Sequence, residues 1–503
     1  MDSPSPICIR FGAEIPAIVR ARMSYAFRLF AAIYNYEVVE ASNSSRLIQC
    51  VYSEARPQEP DSRTFWIPAR YQVRSDTAKR GRLVRHCYLS EDFYLVEGVD
   101  EVTGHPDWLG EIFTWVSSAL EKGIGGRDSV GRIPYSEMVF NRQGISAWKP
   151  YAAMIMAWME SALRNEGEVK KLCRAPSPAR DTEHIVVSSH DIDFYYTGRR
   201  AALVRLLKNL GISFRDYRSW SFFRSNSRML ARVICGKSVG DYLPSLIEAG
   251  GKSEFQSTVF AASKRIHGRD PNYNIRELGP LLSEASRNKF PVGLHGSYTS
   301  VIEAQDLVSE VSALVGATGT RPMGSRQHWL RFDRHEKLFE AIEKAQLIFD
   351  SSLGFCDAVG FRNGANFAFP PYDFKNEKPH EFLEIPLVIM DGGLEAAARS
   401  HGITALKVAE DVLAESRKWG WGGISVLWHN TIEAIQVPHE TNEVFWECLK
   451  KKKLFQEKWT SAEQFISCSL QRYQNAGLLK NVKIETSASG KANVAVVGSG
   501  RDM

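Results

Sequence analysis

The chain has 503 residues, about three times the size of a typical single domain, so its length favours two domains. Hydrophobic residues make up 44% of the sequence and charged residues 24%, as in ordinary globular proteins. The formal net charge is only +5, and the longest run of basic residues covers positions 450–453. Because nucleic-acid binding usually needs a basic stripe or patch, it is not expected here.

The N-terminal segment and the cysteines give information on the cellular compartment of the protein. Residues 1–31 lack the apolar stretch of a signal peptide, and no window approaches the roughly 20 apolar residues of a membrane span. The eight cysteines are scattered and form no CxxC pair, which indicates free thiols in a reducing compartment and disfavours a thiolate metal site. We therefore expect a cytoplasmic protein without a transmembrane segment.

Composition and periodicity divide the chain into an N-terminal accessory domain of α/β or α+β type (1–163), a linker (164–183), a second domain (184–480) and a flexible tail (481–503). In the first domain, strands are predicted at 36–40, 47–52 and 64–68 and helices at 106–120 and 150–163. In the second, seven strands are predicted at 185–189, 254–261, 291–295, 321–328, 347–351, 382–390 and 423–429. The helices predicted around them cover 199–210, 277–287, 301–315, 335–346 and 404–417. This alternation favours a parallel sheet, closed or nearly closed into a (β/α) barrel.

Titratable side chains lie at the ends of five of the predicted barrel strands. In chain order they are Asp191 and Asp193, His295, Arg326 and His328, Asp350, and His429. Active sites of parallel barrels gather at the C-terminal ends of the strands, so these side chains are expected on one rim. Polar groups at buried strand ends cost free energy unless they have partners, which makes five such strands hard to explain by packing.

Asp191 and Asp193 are two residues apart, so on a strand their side chains point the same way. Two neighbouring carboxylates repel unless a cation lies between them or one is protonated. One aspartate with two histidines is a suitable ligand set for Zn²⁺ and leaves positions open for water and substrate. The alternative is a helix-capping aspartate paired with Arg199 or Arg200.

Five short motifs carry a resemblance to a known family. They are SHDID, GLHGSY, SRQHWLR, DSSLGF and VLWHN, in this order along residues 185–430. The set resembles the motifs of the NodB-like polysaccharide deacetylases (carbohydrate esterase family 4), and most closely the bacterial surface-polysaccharide type with an extra N-terminal domain. The resemblance implies a NodB-like (β/α) barrel and a metal-dependent deacetylase.

The resemblance also implies roles for individual residues. The base, the base-orienting arginine and the general acid would be Asp191, Arg326 and His429. Two metal ligands would be Asp193 and His295, although the family's two aspartates are adjacent and these are separated by Ile192. The family's second histidine falls on Thr299, which cannot replace it. His328 on the next strand is the predicted third ligand, with His190 in reserve.

Substrate contacts are predicted in or beside the motifs, at Tyr298, Asp350, Arg362, Asn363 and Trp428. The aromatic-rich segment 353–382 follows a strand end and could contact sugar rings or only pack against the protein. A metal-dependent glycosidase or other amidohydrolase could use the same rim, with Asp350 or Glu384 as a second carboxylate beside Asp191. A non-catalytic glycan-binding module is the third alternative, favoured by Thr299.

The sequence thus predicts removal of acetyl groups from an acetylated sugar or polysaccharide with the help of a divalent metal, most readily Zn²⁺. The resemblance places this step in bacterial capsule, exopolysaccharide or lipopolysaccharide biosynthesis. Association with polysaccharide assembly enzymes would follow from such a role. Whether the bond cleaved is an amide or an ester is left open by the residue types.

Overall fold

The computed structural model of the chain describes residues 5–40, 47–58, 63–71, 83–165, 184–193, 256–429, 458–486 and 492–496, apart from a few single positions, and scattered residues between 195 and 235. Most of the predicted linker (164–183) and half of the predicted helix 199–210 lie outside these residues. The boundary between the two predicted domains therefore stays a prediction. None of the described helices is long and apolar enough to cross a membrane.

The N-terminal region is an α/β unit. Strands β1 (Pro6–Phe11), β2 (Glu37–Val38), β3 (Ile48–Ser53) and β4 (Thr64–Pro68) form a parallel sheet in the order β2-β1-β3-β4. Helix α1 (Ala17–Tyr34) crosses from β1 to β2; it was not predicted from the sequence. An antiparallel hairpin of β5 (Val84–Tyr88) and β6 (Glu91–Leu95) follows. Helices α2 (Trp108–Val116), α3 (Val139–Arg142) and α4 (Tyr151–Asn165) complete this region.

Helix α2 is the centre of the N-terminal core. Every residue of this helix is buried. Asp107 caps its first turn by accepting a hydrogen bond from the Gly110 N–H at 2.8 Å. The second oxygen of Asp107 accepts bonds from the Tyr52 hydroxyl at 2.6 Å and the Tyr71 N–H at 2.8 Å. One buried carboxylate thereby joins the helix to the sheet.

The second part of the chain is a (β/α) barrel, as predicted. Its parallel strands are β7 (Ile185–Ile192), β8 (Thr258–Ala261), β9 (Val292–Gly296), β10 (Gly324–Gln327), β11 (Phe349–Asp350), β14 (Leu383–Glu384), β15 (Leu387–Met390) and β16 (Ile424–His429). Between β11 and β14, β12 (Tyr372–Asp373) pairs with β13 (Lys378–Pro379). The surrounding helices are α5 (Ile275–Arg287), α6 (Ala304–Thr318), α7 (His335–Lys344), α8 (Asp391–His401), α9 (Ala405–Lys418) and α10 (Ala462–Asn475). Strand β17 (Lys458–Thr460) extends the sheet beside β7.

The barrel closes through a broken strand. The sequence predicts one strand over 382–390, but β14 pairs with β11 and β15 pairs with β16. Ile385 and Pro386 connect the two halves. The Ile385 N–H bonds the Asp350 carbonyl at 2.8 Å, and the Pro386 carbonyl accepts from the Ser425 N–H at 2.7 Å. Because proline has no N–H, the break falls where the chain changes partner, and seven strand positions complete the circle.

The C-terminal segment forms a small hairpin. Strand β18 (Val482–Thr486) pairs antiparallel with β19 (Ala492–Val496), within the segment that the sequence predicts as a flexible tail. Glycine and serine are frequent between and after these two strands. Residues 487–491 and 497–503 of this segment lie outside the described part of the chain.

The N-terminal region and the barrel share one hydrophobic core. A buried ion pair crosses their contact: the Arg362 guanidinium donates to both Glu121 oxygens, at 2.8 and 2.6 Å. Burial opposes ionisation of Glu121, but the charges of Arg362 and His335 outweigh it and hold the pKa of Glu121 below its ordinary value. Both side chains are 4% exposed, so each charge depends on the other.

We predict that Glu121→Ala lowers the free energy of unfolding by about 3–5 kcal/mol, because it leaves the Arg362 cation buried without its carboxylate. Urea denaturation measures this change. The control is Lys407→Ala, which removes a solvent-exposed pair with Asp411 and should cost less than about 1 kcal/mol. Equal losses in the two variants would contradict a structural role for the buried pair.

Candidate metal and hydrolase site

A buried arginine organises the interior of the barrel near its C-terminal rim. Arg326, on β10, is 0% exposed. Its guanidinium donates to the Ser189 hydroxyl at 2.8 Å and to the Asp191 carboxylate at 3.0 Å, both on β7. It also donates to Ser351, beyond β11, and to the Ser425 hydroxyl on β16 at 2.9 Å. Arg326 therefore holds Asp191 in one orientation, as the resemblance implies for a base and its orienting residue.

Next to this pair, Asp193, His295 and His328 converge. One ligand atom from each lies within 4.8 Å of the others. The Asp193 carboxylate is 3.3 Å from His295 Nε2 and 3.5 Å from His328 Nε2. The predicted third ligand thus lies with the other two. The predicted strand 321–328 ends one residue early, however: β10 stops at Gln327, and His328 begins a single turn of 3₁₀ helix.

The hydrogen bond of His295 tests whether this set suits a metal. Its Nδ1 lies 3.0 Å from the Arg326 carbonyl, which can only accept, so Nδ1 is the donor. In the neutral imidazole Nε2 then carries a lone pair, and this buried atom has no hydrogen-bond partner among the described residues. A lone pair that faces a carboxylate at 3.3 Å calls for a cation or a proton between them. The donor set and its tautomer fit Zn²⁺.

An aspartate outside the motifs lies behind His328. The Nδ1 atom of His328 is 3.8 Å from the Asp270 carboxylate. Asp270 also accepts backbone hydrogen bonds, from the Tyr298 N–H at 2.6 Å and the His267 N–H at 2.6 Å. Burial opposes ionisation of Asp270, but these bonds and His328 outweigh it and lower its pKa to about 2. Asp270 therefore lies beside the ring nitrogen of His328 that faces away from Asp193, at a distance longer than a hydrogen bond.

His429 faces the same cluster from the opposite side. Its Nδ1 is 2.8 Å from the Asp391 carboxylate, and its Nε2 lies 3.7 Å from Asp193. The Asp391 carboxylate also accepts the His429 backbone N–H at 2.9 Å. Burial opposes protonation, but the charges of Asp391 and Asp193 outweigh it and raise the pKa of His429 to about 10. The imidazole is therefore protonated at neutral pH, as a general acid must be before it donates, and its Nε2 faces the cluster.

His190, the reserve ligand, is not part of the cluster. It is 1% exposed and lies between two residues whose side chains bond Arg326. Alternation along the strand turns its imidazole to the other face. Burial lowers the pKa of His190 to about 3, so this side chain is neutral. Thr299 supplies no imidazole, and its carbonyl accepts the Ile302 N–H in the turn after β9.

Four of the five predicted substrate-binding side chains are buried. Arg362 bonds Glu121, and the Asn363 amide donates to the Ser118 hydroxyl at 2.6 Å. Trp428 is 1% exposed. These three side chains pack inside the protein and offer no surface to a sugar. Most aromatic residues of segment 353–382 follow the same pattern: Phe355, Phe361, Phe367, Phe369 and Tyr372 are each at most 3% exposed, whereas Phe374 is partly buried.

Asp350 is also buried, beside a second acid. Asp350 and Glu384 are register neighbours on β11 and β14, and both are 0% exposed. Asp350 accepts from the Ser325 hydroxyl at 2.8 Å and the Ser352 N–H at 3.0 Å. Burial, and then the charge of Asp350, raise the pKa of Glu384 well above its ordinary value. The pair therefore lies in the barrel interior.

Tyr298, the fifth predicted contact, lies on the rim. Its ring stacks on the imidazole of His267, with centroids 4.6 Å apart, and its hydroxyl accepts from Arg269 at 3.0 Å. Sequence reasoning did not select Trp329, which exposes 43% of its surface next to His328. An exposed aromatic face beside a polar site is a suitable surface for a sugar ring.

The partner carboxylates Asp270 and Asp391 were also missed. Asp391 follows directly after β15, at the same rim as the predicted residues, so its position at a strand end was an available signal. Asp270 lies in the loop after β8, nine residues past that strand's end at Ala261, and periodicity does not distinguish it. Both act on a histidine that is distant in the sequence.

No protein-family model matches the chain, and no curated protein matches its sequence. Solved structures do match. A candidate polysaccharide deacetylase from Mycobacterium smegmatis is 13% identical, covers 59% of this chain and 93% of its own, and has a TM-score of 0.37. A polysaccharide deacetylase from Bacillus cereus is 12% identical, with coverages of 55% and 91% and a TM-score of 0.26. A family 4 pseudoenzyme from Bacillus anthracis is 12% identical, with 59% and 70% covered and a TM-score of 0.28.

We predict that His328→Ala weakens zinc binding by at least about 100-fold, whereas His190→Ala leaves it within about threefold, because only His328 lies with Asp193 and His295. Competition with a chromophoric chelator measures both affinities. The melting temperature of the metal-free variants controls for loss of packing. Strong loss in His190→Ala with normal binding in His328→Ala would reverse the assignment of the third ligand.

Proposed function

We propose that the chain is a metal-dependent carbohydrate deacetylase. The observation that carries the proposal is the convergence of three groups of side chains on one rim. They are the Asp193, His295 and His328 cluster, the Asp191 carboxylate held by Arg326, and the His429 imidazole held by Asp391. Hydrolysis of an acetyl amide or ester needs activation of a carbonyl, a base for water and an acid for the leaving group.

Asp193, His295 and His328 would hold the divalent ion, which we propose to be Zn²⁺. When bound, such an ion acts as a Lewis acid, polarising a carbonyl oxygen and lowering the pKa of water. Asp191 accepts the proton of the attacking water, while Arg326 keeps its carboxylate fixed. His429 donates a proton from Nε2 to the departing nitrogen or oxygen of the sugar, and Asp391 stabilises the imidazolium through Nδ1.

The buried acid pair argues against a glycosidase. That reaction needs two carboxyl groups on either side of the scissile bond, about 5–9.5 Å apart. Asp350 and Glu384, which could serve with Asp191, are 0% exposed and lie side by side on neighbouring strands. Their burial and their mutual contact give no support to a role for either as the second carboxylate of a glycosidase.

The substrate we propose is an acetylated sugar or polysaccharide. The exposed Trp329 next to His328 supports this class, because an indole face packs well against a sugar ring. The motif resemblance supports a place in the assembly of bacterial surface polysaccharides, inside the cell and together with other assembly enzymes. A glycan-binding module without activity is the competing proposal, and metal content separates the two.

The decisive experiment is acetate release. The purified protein, loaded with zinc, is incubated with a panel of N- and O-acetylated glycans, and acetate and glycan chain length are both followed. We expect acetate with an intact glycan, and no acetate after treatment with a chelator until zinc is restored. Shortened glycan chains would favour a glycosidase, and stoichiometric zinc without any release would favour a binding module.

We predict that Asp191→Asn keeps stoichiometric zinc but lowers kcat by about 10²–10⁴-fold, because an amide cannot accept the proton from water. Asp193→Asn is the matched comparison: it should lose zinc and activity together. Metal analysis and initial rates on one acetylated glycan distinguish the two. Near-normal activity in Asp191→Asn would place the base elsewhere.

A further inference from the structure

The turn that carries His328 has a strained backbone. After β10 ends, His328–Leu330 forms a single 3₁₀ turn. Within it Trp329 has φ 65° and Leu330 has φ 49°, in the left-handed region that bulky residues avoid. Two consecutive residues in this region persist only when neighbouring structure holds them. The hydrogen bonds to this turn therefore hold the backbone that directly follows His328.

A loop of the N-terminal region provides a rigid surface for this purpose. Residues 128–132 are folded back on the Asp128 side chain, which accepts from the Val130 N–H at 3.0 Å and the Arg132 N–H at 2.9 Å. The other Asp128 oxygen accepts from the Arg132 guanidinium at 2.8 Å. Gly131, with φ 89°, takes the left-handed position that closes the loop. The Asp128 carboxylate thereby fixes the direction of the Arg132 guanidinium independently of any contact with the barrel.

This loop and the His328 turn exchange hydrogen bonds. Arg132 Nη1 donates to the Trp329 carbonyl at 2.8 Å, and its guanidinium carbon lies 5.9 Å from the Trp329 ring centroid. In return, Arg331 Nε donates to the Val130 carbonyl at 2.9 Å. Arg331 also donates to the Tyr298 carbonyl at 2.7 Å, on the neighbouring rim loop. The turn is held at its centre and just beyond its end.

We infer that Arg132 is a positioning residue for the metal site: through the Trp329 carbonyl, the N-terminal region keeps His328 turned toward Asp193 and His295. This inference rests on the proposed function, because it assumes that the three residues bind a metal. It assigns the N-terminal region a part in the site. Without the bond from Arg132, only the Arg331 bonds beyond its end restrain the turn, so its left-handed residues can relax and shift the imidazole away from the other ligands.

The test compares Arg132→Ala with Arg70→Ala in the full chain. Arg70 is a matched control, since it also pairs with an aspartate of the N-terminal region, Asp100, at 2.8 Å. Zinc affinity is measured by chelator competition, and the melting temperature of the metal-free protein is recorded. We expect the zinc dissociation constant of Arg132→Ala to rise about 10–100-fold, as for other residues that orient ligands. Arg70→Ala should retain the parent's affinity, with a similar change in metal-free melting temperature.

A second variant, Arg132→Met, keeps the apolar stem over Trp329 and removes the donors. It should lose affinity to the same extent, and it remains informative if the alanine variant does not fold. Parent-like zinc affinity in either folded variant would overturn the inference and leave the proposed function intact. A parent that binds no zinc would contradict both.

Discussion

The barrel and its site depend on the hydrogen bonds that the buried Arg326 guanidinium donates. A fully buried cation is costly unless every donor is satisfied, and here the acceptors come from three other strand positions. The charge is balanced by Asp191, and the guanidinium stacks 4.5 Å from the centroid of Phe260 on β8. A shift of register in β7 or β16 would remove Ser189 or Ser425 from its reach. The hydrogen bonds of Arg326 that connect the strands of the barrel therefore also fix the proposed base, Asp191.

The sequence predicted the parts of the barrel that local pattern determines. Apolar runs and amphipathic helices located all seven strand positions, and the motifs identified the rim residues that the structure brings together. The broken strand at 382–390 was not predictable in this way. Its two halves, β14 and β15, lie in one run of mostly apolar residues, and their different partners on either side of Pro386 follow from closure of the barrel.

Pairing between residues that are far apart in the sequence accounts for the other differences between the predicted and the observed site. Arg362 and Asn363 resemble surface groups of a rim loop, yet their partners Glu121 and Ser118 lie 241 and 245 residues away in the chain. The sequence alone does not tell whether a polar side chain binds a ligand or pairs with a distant residue of the same chain. That distinction needs the three-dimensional position of the distant residue. Asp391 and Asp270 were missed for the same reason, since their roles depend on histidines brought to them by folding.

The spacing of the two aspartates gives each a separate environment. Asp191 and Asp193 lie two residues apart, so along an extended chain their Cα atoms differ in depth by about 6.6 Å. Asp191, the deeper one, is 2% exposed and bonded to Arg326, whereas the Asp193 side chain is 18% exposed and meets His295 and His328. Asp191 is the last residue but one of β7 and Asp193 is the first residue after it, with the buried Ile192 between them. Each carboxylate has its own partners: Arg326 for Asp191, and His295 and His328 for Asp193.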